Sequence, residues 1–102
     1  MPTVFVLSKL RPNASVKEYE RWIKEWDYPN SRTKMKSIKS YYCYRVTGSL
    51  GEVQDISYVE HIEITNFEEY KSDLNSPFGK ELISQWSKFI GESKILTAQV
   101  IE

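Results

Sequence analysis

Apolar positions along this chain recur with a period of two in some stretches and roughly 3.6 in others, and the changes of period mark out its elements. Thr3 to Leu10 alternates as a strand and ends on the turn Arg11-Pro12-Asn13. Ser15 with Glu18 three residues on forms a capping box, and Val16, Tyr19, Trp22, Ile23 and Trp26 then follow helical spacing. This predicts a first helix ending near Asp27-Tyr28-Pro29, with Asn30 to Lys36 as a polar, basic connection. Ile38 to Thr47, rich in Tyr and Val, reads as a second strand, and Asp55 to Ile64 as a third. The short loop between them, containing Gly48-Ser49-Leu50-Gly51, favours an antiparallel hairpin. Asn66, with Glu69, caps a short helix carrying Phe67, Tyr70 and Leu74. Ser76-Pro77 opens another, whose stripe is Phe78, Leu82, Ile83, Trp86, Phe89 and Ile90, with Gly91 as its stop. Lys94 to Ile101 is a last strand. The order β-α-β-β-α(α)-β predicts an α+β domain of the ferredoxin-like βαββαβ type, with helices on one face of a four-stranded antiparallel sheet.

Alternation also sorts each strand into two faces. Val4 and Val6 oppose Phe5, Leu7 and Lys9 in the first strand; Leu96, Ala98 and Val100 oppose Ile95, Thr97, Gln99 and Ile101 in the last. The purely aliphatic sets are assigned to the helix side. The other sets remain too apolar to face only water, which predicts a second copy covering that face, a homodimer. In the third strand Ile56, Tyr58, Glu60, Ile62 and Ile64 form the apolar set, and Glu60 breaks it. A carboxylate in an apolar layer is costly unless hydrogen-bonded, paired or protonated. Either Glu60 meets an Arg, a Lys or water at the sheet edge, or it is buried with a raised pKa, as a general acid or base requires near neutral pH.

The remaining candidates follow from this anomaly. Asp27 sits at the negative end of the first predicted helix, so another interaction should compensate it. It is either a solvated turn carboxylate or a second acid at the pocket mouth, paired with Glu60. Tyr42 and Tyr44 share a phase with Ile38 and Val46, which places them at the rim of the apolar face. His61 falls in the polar set with Ser57 and Glu63, on the other side from Glu60, for an exposed or interface role. Cys43 has no neighbour in sequence that would activate it and is expected to be a packed thiol. Arg32, Lys34, Lys36 and Lys39 are expected to form a solvated face.

Composition narrows the classes of function. The 102 residues allow one domain, 1–102, and carry 14 basic and 14 acidic side chains. A net charge of zero argues against a nucleic-acid partner, and no apolar run is long enough for a membrane span. The start, MPTVFVLSKLRPN, lacks the basic region and cleavage site of a signal peptide. One cysteine excludes an internal disulfide and fits the cytoplasm; one cysteine and one histidine argue against a protein-built zinc site. Aromatic residues make up 14% of the chain, enough to line a pocket for a flat organic ligand.

Three stretches add a family. Asp27-Tyr28-Pro29, Ser37-Ile38-Lys39-Ser40-Tyr41 with Tyr44-Arg45-Val46, and Tyr58-Val59-Glu60-His61-Ile62-Glu63-Ile64 with Phe67-Glu68-Glu69-Tyr70 resemble the dimeric α/β-barrel superfamily. Within it, the chain resembles the RedY-like, HapK-type proteins of prodigiosin-type and bisindole pathways, over nearly its whole length. The resemblance implies a homodimer with sheets packed back to back and one pocket per subunit, between sheet and helices. It implies pyrrole- or indole-derived substrates, and Tyr58, Glu60 and Ile62 facing the pocket. Cyclases of the superfamily place a histidine at the start of the last long helix, where this chain has Ser76-Pro77-Phe78-Gly79. A histidine-driven aldol cyclisation is therefore not expected.

The expectation is a tailoring enzyme without cofactor or metal that acts on a small aromatic substrate by cyclisation or rearrangement. Glu60 and Asp27 are its catalytic candidates; Tyr58, Tyr42, Tyr44, Trp22, Trp26, Tyr28, Phe78 and Trp86 are its substrate-binding candidates. Two alternatives are a non-catalytic protein that binds or shields a reactive small molecule, and a cofactor-free monooxygenase.

Overall fold

The computed structural model describes residues 2–51 and 55–102. Its strands are β1 (Pro2–Leu10), β2 (Ile38–Arg45), β3 (Tyr58–Ile64) and β4 (Ile90–Gln99). They form one antiparallel sheet in the order β2-β3-β1-β4. Between β1 and β2 lies a nearly continuous helical segment: α1 (Val16–Trp22), a π-helical turn (Ile23–Asp27) and α2 (Tyr28–Lys34). Between β3 and β4 lie α3 (Phe67–Asn75) and α4 (Pro77–Trp86). The expected α+β, ferredoxin-like architecture is what the chain adopts. Among the described residues, no helix is long and apolar enough to cross a membrane.

The helix starts follow from capping side chains. Ser15 Oγ accepts from the Glu18 amide, Asn66 Oδ1 from the Glu69 amide at 2.8 Å, and Ser76 Oγ from the Gly79 amide at 3.1 Å. Pro77 occupies the first turn of α4, where its missing N–H leaves no gap. Gly79 is dictated by the crossing of α3 and α4: a Cβ there would collide with the Asp73 and Leu74 carbonyl oxygens. A larger residue at that position would force the two helices apart.

Three sequence assignments need correction. Asn30 to Lys36 is not a loop through most of its length, because the wider π turn carries the helix past Asp27 and Pro29 falls in the first turn of α2. The last helix ends at Trp86, and Ile90 and Gly91 belong to β4. Gly91 therefore stops no helix; the chain turns at residues 87–89. Finally, β3 begins at Tyr58 rather than Asp55, and β2 ends at Arg45.

The helix-side face of the sheet holds the core. Val4, Val6, Tyr41, Ile62 and Ile64 form one buried cluster against which Phe67, Tyr70 and Trp86 pack. Tyr19, Ile23, Tyr58 and Ile90 form a second, and Tyr28, Cys43 and Trp86 bridge the two. The opposite face carries Phe5 stacked on His61 with ring centroids 5.0 Å apart. In register with them lie Tyr42 on β2 and Leu96 on β4. The last strand is thus assigned to the wrong phase by its sequence: Ile95 pairs with Val6 on the helix side, and Leu96 with Phe5 on the open side. Picking the more aliphatic set failed because this edge strand is exposed over nearly its whole length, so burial selects neither of its faces.

Candidate functional site

Glu60 lies in the middle of β3, where alternation directs it towards the helices, and it is 7% exposed. Asp27 comes to the same place from the helical side. The π turn ends on it and α2 begins after it, so it lies within a continuing helical run rather than at a helix C-terminus. Asp27 is 2% exposed, so it is an interior group and not, as expected, one at the pocket mouth. The compensation it needs comes from Ser31, one turn on, whose hydroxyl donates to Oδ1 at 2.6 Å.

Tyr41 joins the two carboxyls. Its hydroxyl lies 2.5 Å from Asp27 Oδ2 and 2.7 Å from Glu60 Oε1. Burial pushes the Glu60 carboxyl up to about 7, against a smaller opposing pull from the Tyr41 hydrogen bond and a further push from the neighbouring Asp27. Burial likewise raises Asp27, while Ser31, Tyr41 and the nearby Arg32 hold it down. The Tyr41 phenol is raised by its own burial and by both carboxyls. Among the described residues the ion pairs are Lys9–Asp55 and Arg45–Glu20, so neither carboxyl of this cluster has a salt-bridge partner. The choice left open for Glu60 is thereby decided for burial.

The cluster borders a cavity of about 100 Å³. Its walls are apolar: Val6, Met35, Ile62, Tyr70, Leu82 and Trp86 among others. Ile83 and Ile95, 43% and 59% exposed, stand on its outer side. Among the described residues no group of three or more His, Cys, Asp and Glu side chains is arranged to hold a metal ion.

Of the expected binding residues, Trp86 lines this cavity. Tyr28 stands beside it, edge-on to Tyr41 with centroids 5.2 Å apart, and faces a second hollow of about 170 Å³. Tyr58 lines that second hollow and donates to Glu20 at 2.9 Å. Trp22, Trp26 and Phe78 form a continuous stack away from the cavity, with centroid spacings of 5.6 and 5.7 Å. The Trp22 indole is held by Gln85 at 2.7 Å. Tyr42 and Tyr44 are on the open face, each 54% exposed, and do not reach the cavity. The correction has a clear cause: the register slips between Ile38 and Ser40, so Ile38 and Tyr41 share the helix side and the phase of the later tyrosines is reversed. The same slip hid Tyr41, the residue that the sequence reading missed; it pairs with Ile62, two residues from Glu60 on the same face, and a hydroxyl diagonal to the carboxyl was the signal that could have found it. Ser31 and Tyr70 were missed as well. His61 is on the open face, as expected, and Cys43 is a packed thiol pushed up by burial. Arg32, Lys34, Lys36 and Lys39 are exposed, although the Arg32 guanidinium also donates to the Tyr41 carbonyl.

Fold and site together define a ferredoxin-like α+β protein with a carboxyl cluster in an apolar cavity between sheet and helices. The chain belongs to the HapK family: the family model described as REDY-like protein HapK matches residues 2–101. The chain is similar in structure to HapK from Hahella chejuensis, at 22% identity and a TM-score of 0.84, over 99% of this chain and 93% of that one. It is also similar to the hydroxynitrile lyase from Passiflora edulis, at 14% identity and a TM-score of 0.82, over 99% and 94%. A third similar structure is a dimeric protein of ferredoxin-like fold from Bacteroides fragilis, at 13% identity and a TM-score of 0.70, over 97% and 95%. At these identities the structural likeness shows the fold. Comparison with curated protein sequences finds no match.

Proposed function

We propose that this chain is a cofactor-independent tailoring enzyme that cyclises or rearranges a flat pyrrole- or indole-type intermediate by acid–base catalysis. The observation that carries the reading is the Tyr41 hydroxyl bridging two buried carboxyls at the wall of an otherwise apolar cavity. Such a cluster holds a proton at neutral pH that an exposed carboxyl would have lost. Glu60 gives this proton to the substrate or takes one from it, and Tyr41 and Asp27 adjust their hydrogen bonds to the new charge. The cavity of about 100 Å³ takes a single small ring. It is smaller than the ~150 Å³ cavity known to admit benzene. A larger intermediate therefore places one ring beside Glu60 and extends outward past Ile83 and Ile95. Trp86 gives that ring a flat wall; Tyr28 and Tyr58 act from the adjoining hollow, and the Trp22–Trp26–Phe78 stack supports the helical side.

The open sheet face, with Phe5, His61, Leu96 and the two exposed tyrosines, is the surface for a second copy of the chain. A neighbour described as dimeric supports this homodimer, and a monomer mass by light scattering at micromolar concentration would exclude it.

The deciding experiment incubates purified protein with candidate pyrrole and indole intermediates and follows product by chromatography. New product with the unaltered chain, and its loss in Glu60→Gln, is the expected outcome. A change in tryptophan fluorescence without product would instead establish a binding and shielding protein, a reading that the largely apolar lining also favours.

A further inference from the structure

The charge of the ligand can be argued from the protons in the cluster, taking the cavity to be the reacting site as above. The Tyr41 hydroxyl has one proton and two carboxyl neighbours, at 2.5 and 2.7 Å. It donates to one; the other short oxygen–oxygen contact requires a proton on the carboxyl itself. Asp27 already receives the Ser31 hydroxyl at 2.6 Å and so is the better place for negative charge. Glu60 then donates to Tyr41, and Tyr41 to Asp27. The cluster as a whole carries one negative charge and one transferable proton.

The lining contains nothing to balance that charge. Among the described residues, no Lys, Arg or His lines the cavity. Arg32, which holds Asp27 down from outside the lining, directs its guanidinium to the Tyr41 carbonyl at 2.5 Å and sits 3.9 Å above the Tyr28 ring. The Trp86 Nε1–H is buried without a hydrogen-bond partner, and as a neutral donor it brings no charge to offset that of the cluster. What the walls offer a ligand is the aromatic rings of Tyr70 and Trp86, which attract positive charge. An oxyanion or enolate would meet a buried negative charge with no cation in the lining to offset it.

We propose that this cavity selects a small ligand that carries positive charge or acquires it on protonation: an amine, an iminium precursor or an electron-rich ring. In the step it serves, the Glu60 O–H bond breaks and a new C–H or N–H bond forms with an electron pair of the ligand. The ligand becomes the cation and Glu60 the carboxylate beside it. Loss of a different proton back to Glu60 restores both.

The test uses protein labelled at isoleucine δ1 methyl groups, because Ile38, Ile62, Ile83 and Ile95 all line the cavity. It is titrated at pH 6 with three five-membered-ring probes: pyrrolidinium, cyclopentanol and cyclopentanecarboxylate. Pyrrolidinium is expected to shift these methyls and to bind about 10-fold tighter than cyclopentanol. The carboxylate is expected to shift none of them, and Asp27→Asn to level the difference between the first two. If that variant does not fold, the ranking of the three probes on the unaltered chain decides alone. Equal binding of cation and alcohol, or binding of the carboxylate, overturns charge selection while leaving the cavity as a ligand site. No shift with any probe removes both.

Discussion

Glu60 and Glu20 lie on the same side of the sheet, each at one of the two hollows described above, and their carboxyls are tuned in opposite directions. Glu20 is gripped through both oxygens by Arg45 and receives the Tyr58 hydroxyl, which pulls it down to about 2. Glu60 is more deeply enclosed, has no cation, and shares its one bridging hydroxyl with a second carboxyl, so it is pushed up to about 7. Tyr58 and Glu60 are two residues apart on one strand. The difference therefore lies in what replaces water: a fixed positive partner makes a carboxylate permanent, whereas burial against aliphatic walls makes it exchange a proton. The first is a clasp between α1 and β2; the second is equipped for chemistry.

The largest expected contrast is in turnover. Glu60→Gln should lower the rate by about 10²–10⁴-fold, the usual contribution of a positioned acid or base. Glu20→Gln should leave it nearly unchanged in the same chromatographic assay. Next comes the pH dependence of stability. The folded chain retains a proton on Glu60 that the unfolded chain gives up, so stability is greatest below pH 4.5 as far as this group is concerned and falls as pH rises towards 7. The loss is on the order of 3 kcal/mol, and denaturant titrations at several pH values should show it flattened in Glu60→Gln. Asp27, also raised, adds a change of the same sign.

Tyr41→Phe removes the bridge between the carboxyls. It should cost about 1–3 kcal/mol by the same titrations and raise the Glu60 pKa further, since the Tyr41 hydrogen bond is what holds it down. The smallest effect belongs to Arg45→Met. The Arg45 side chain is 61% exposed, so stability should change little, while Glu20 moves back up towards the ordinary carboxylate range.

The sequence announced some of these features and concealed others, for physical reasons. Capping residues and hydrophobic periodicity act locally, so the helix starts at Ser15, Asn66 and Ser76 and the βαββαβ order followed directly from the residues. Glu60 was visible as a charge within an apolar alternation. The π turn was not, because a single widened turn leaves the apolar spacing before it unaltered and only redirects Asp27 at its end. The bulge between Ile38 and Ser40 was hidden as well: a one-residue slip exchanges the faces of everything beyond it. Tyr42 and Tyr44 were thereby placed in the pocket, and Tyr41, the group that completes the cluster, was passed over. In β4, an edge strand exposed over nearly its whole length, the more aliphatic set lies on the open face, so hydrophobicity pointed to the wrong side.

The most direct test of the account is a carbon-detected NMR titration of the glutamate side-chain carboxyls, with Glu60→Gln and Glu20→Gln to assign the two signals. The account predicts that Glu60 titrates near 7 and Glu20 near 2 in one sample. If Glu60 instead titrates at or below the ordinary ~4.3, it is solvated or paired in solution, and the proposed acid–base role is contradicted.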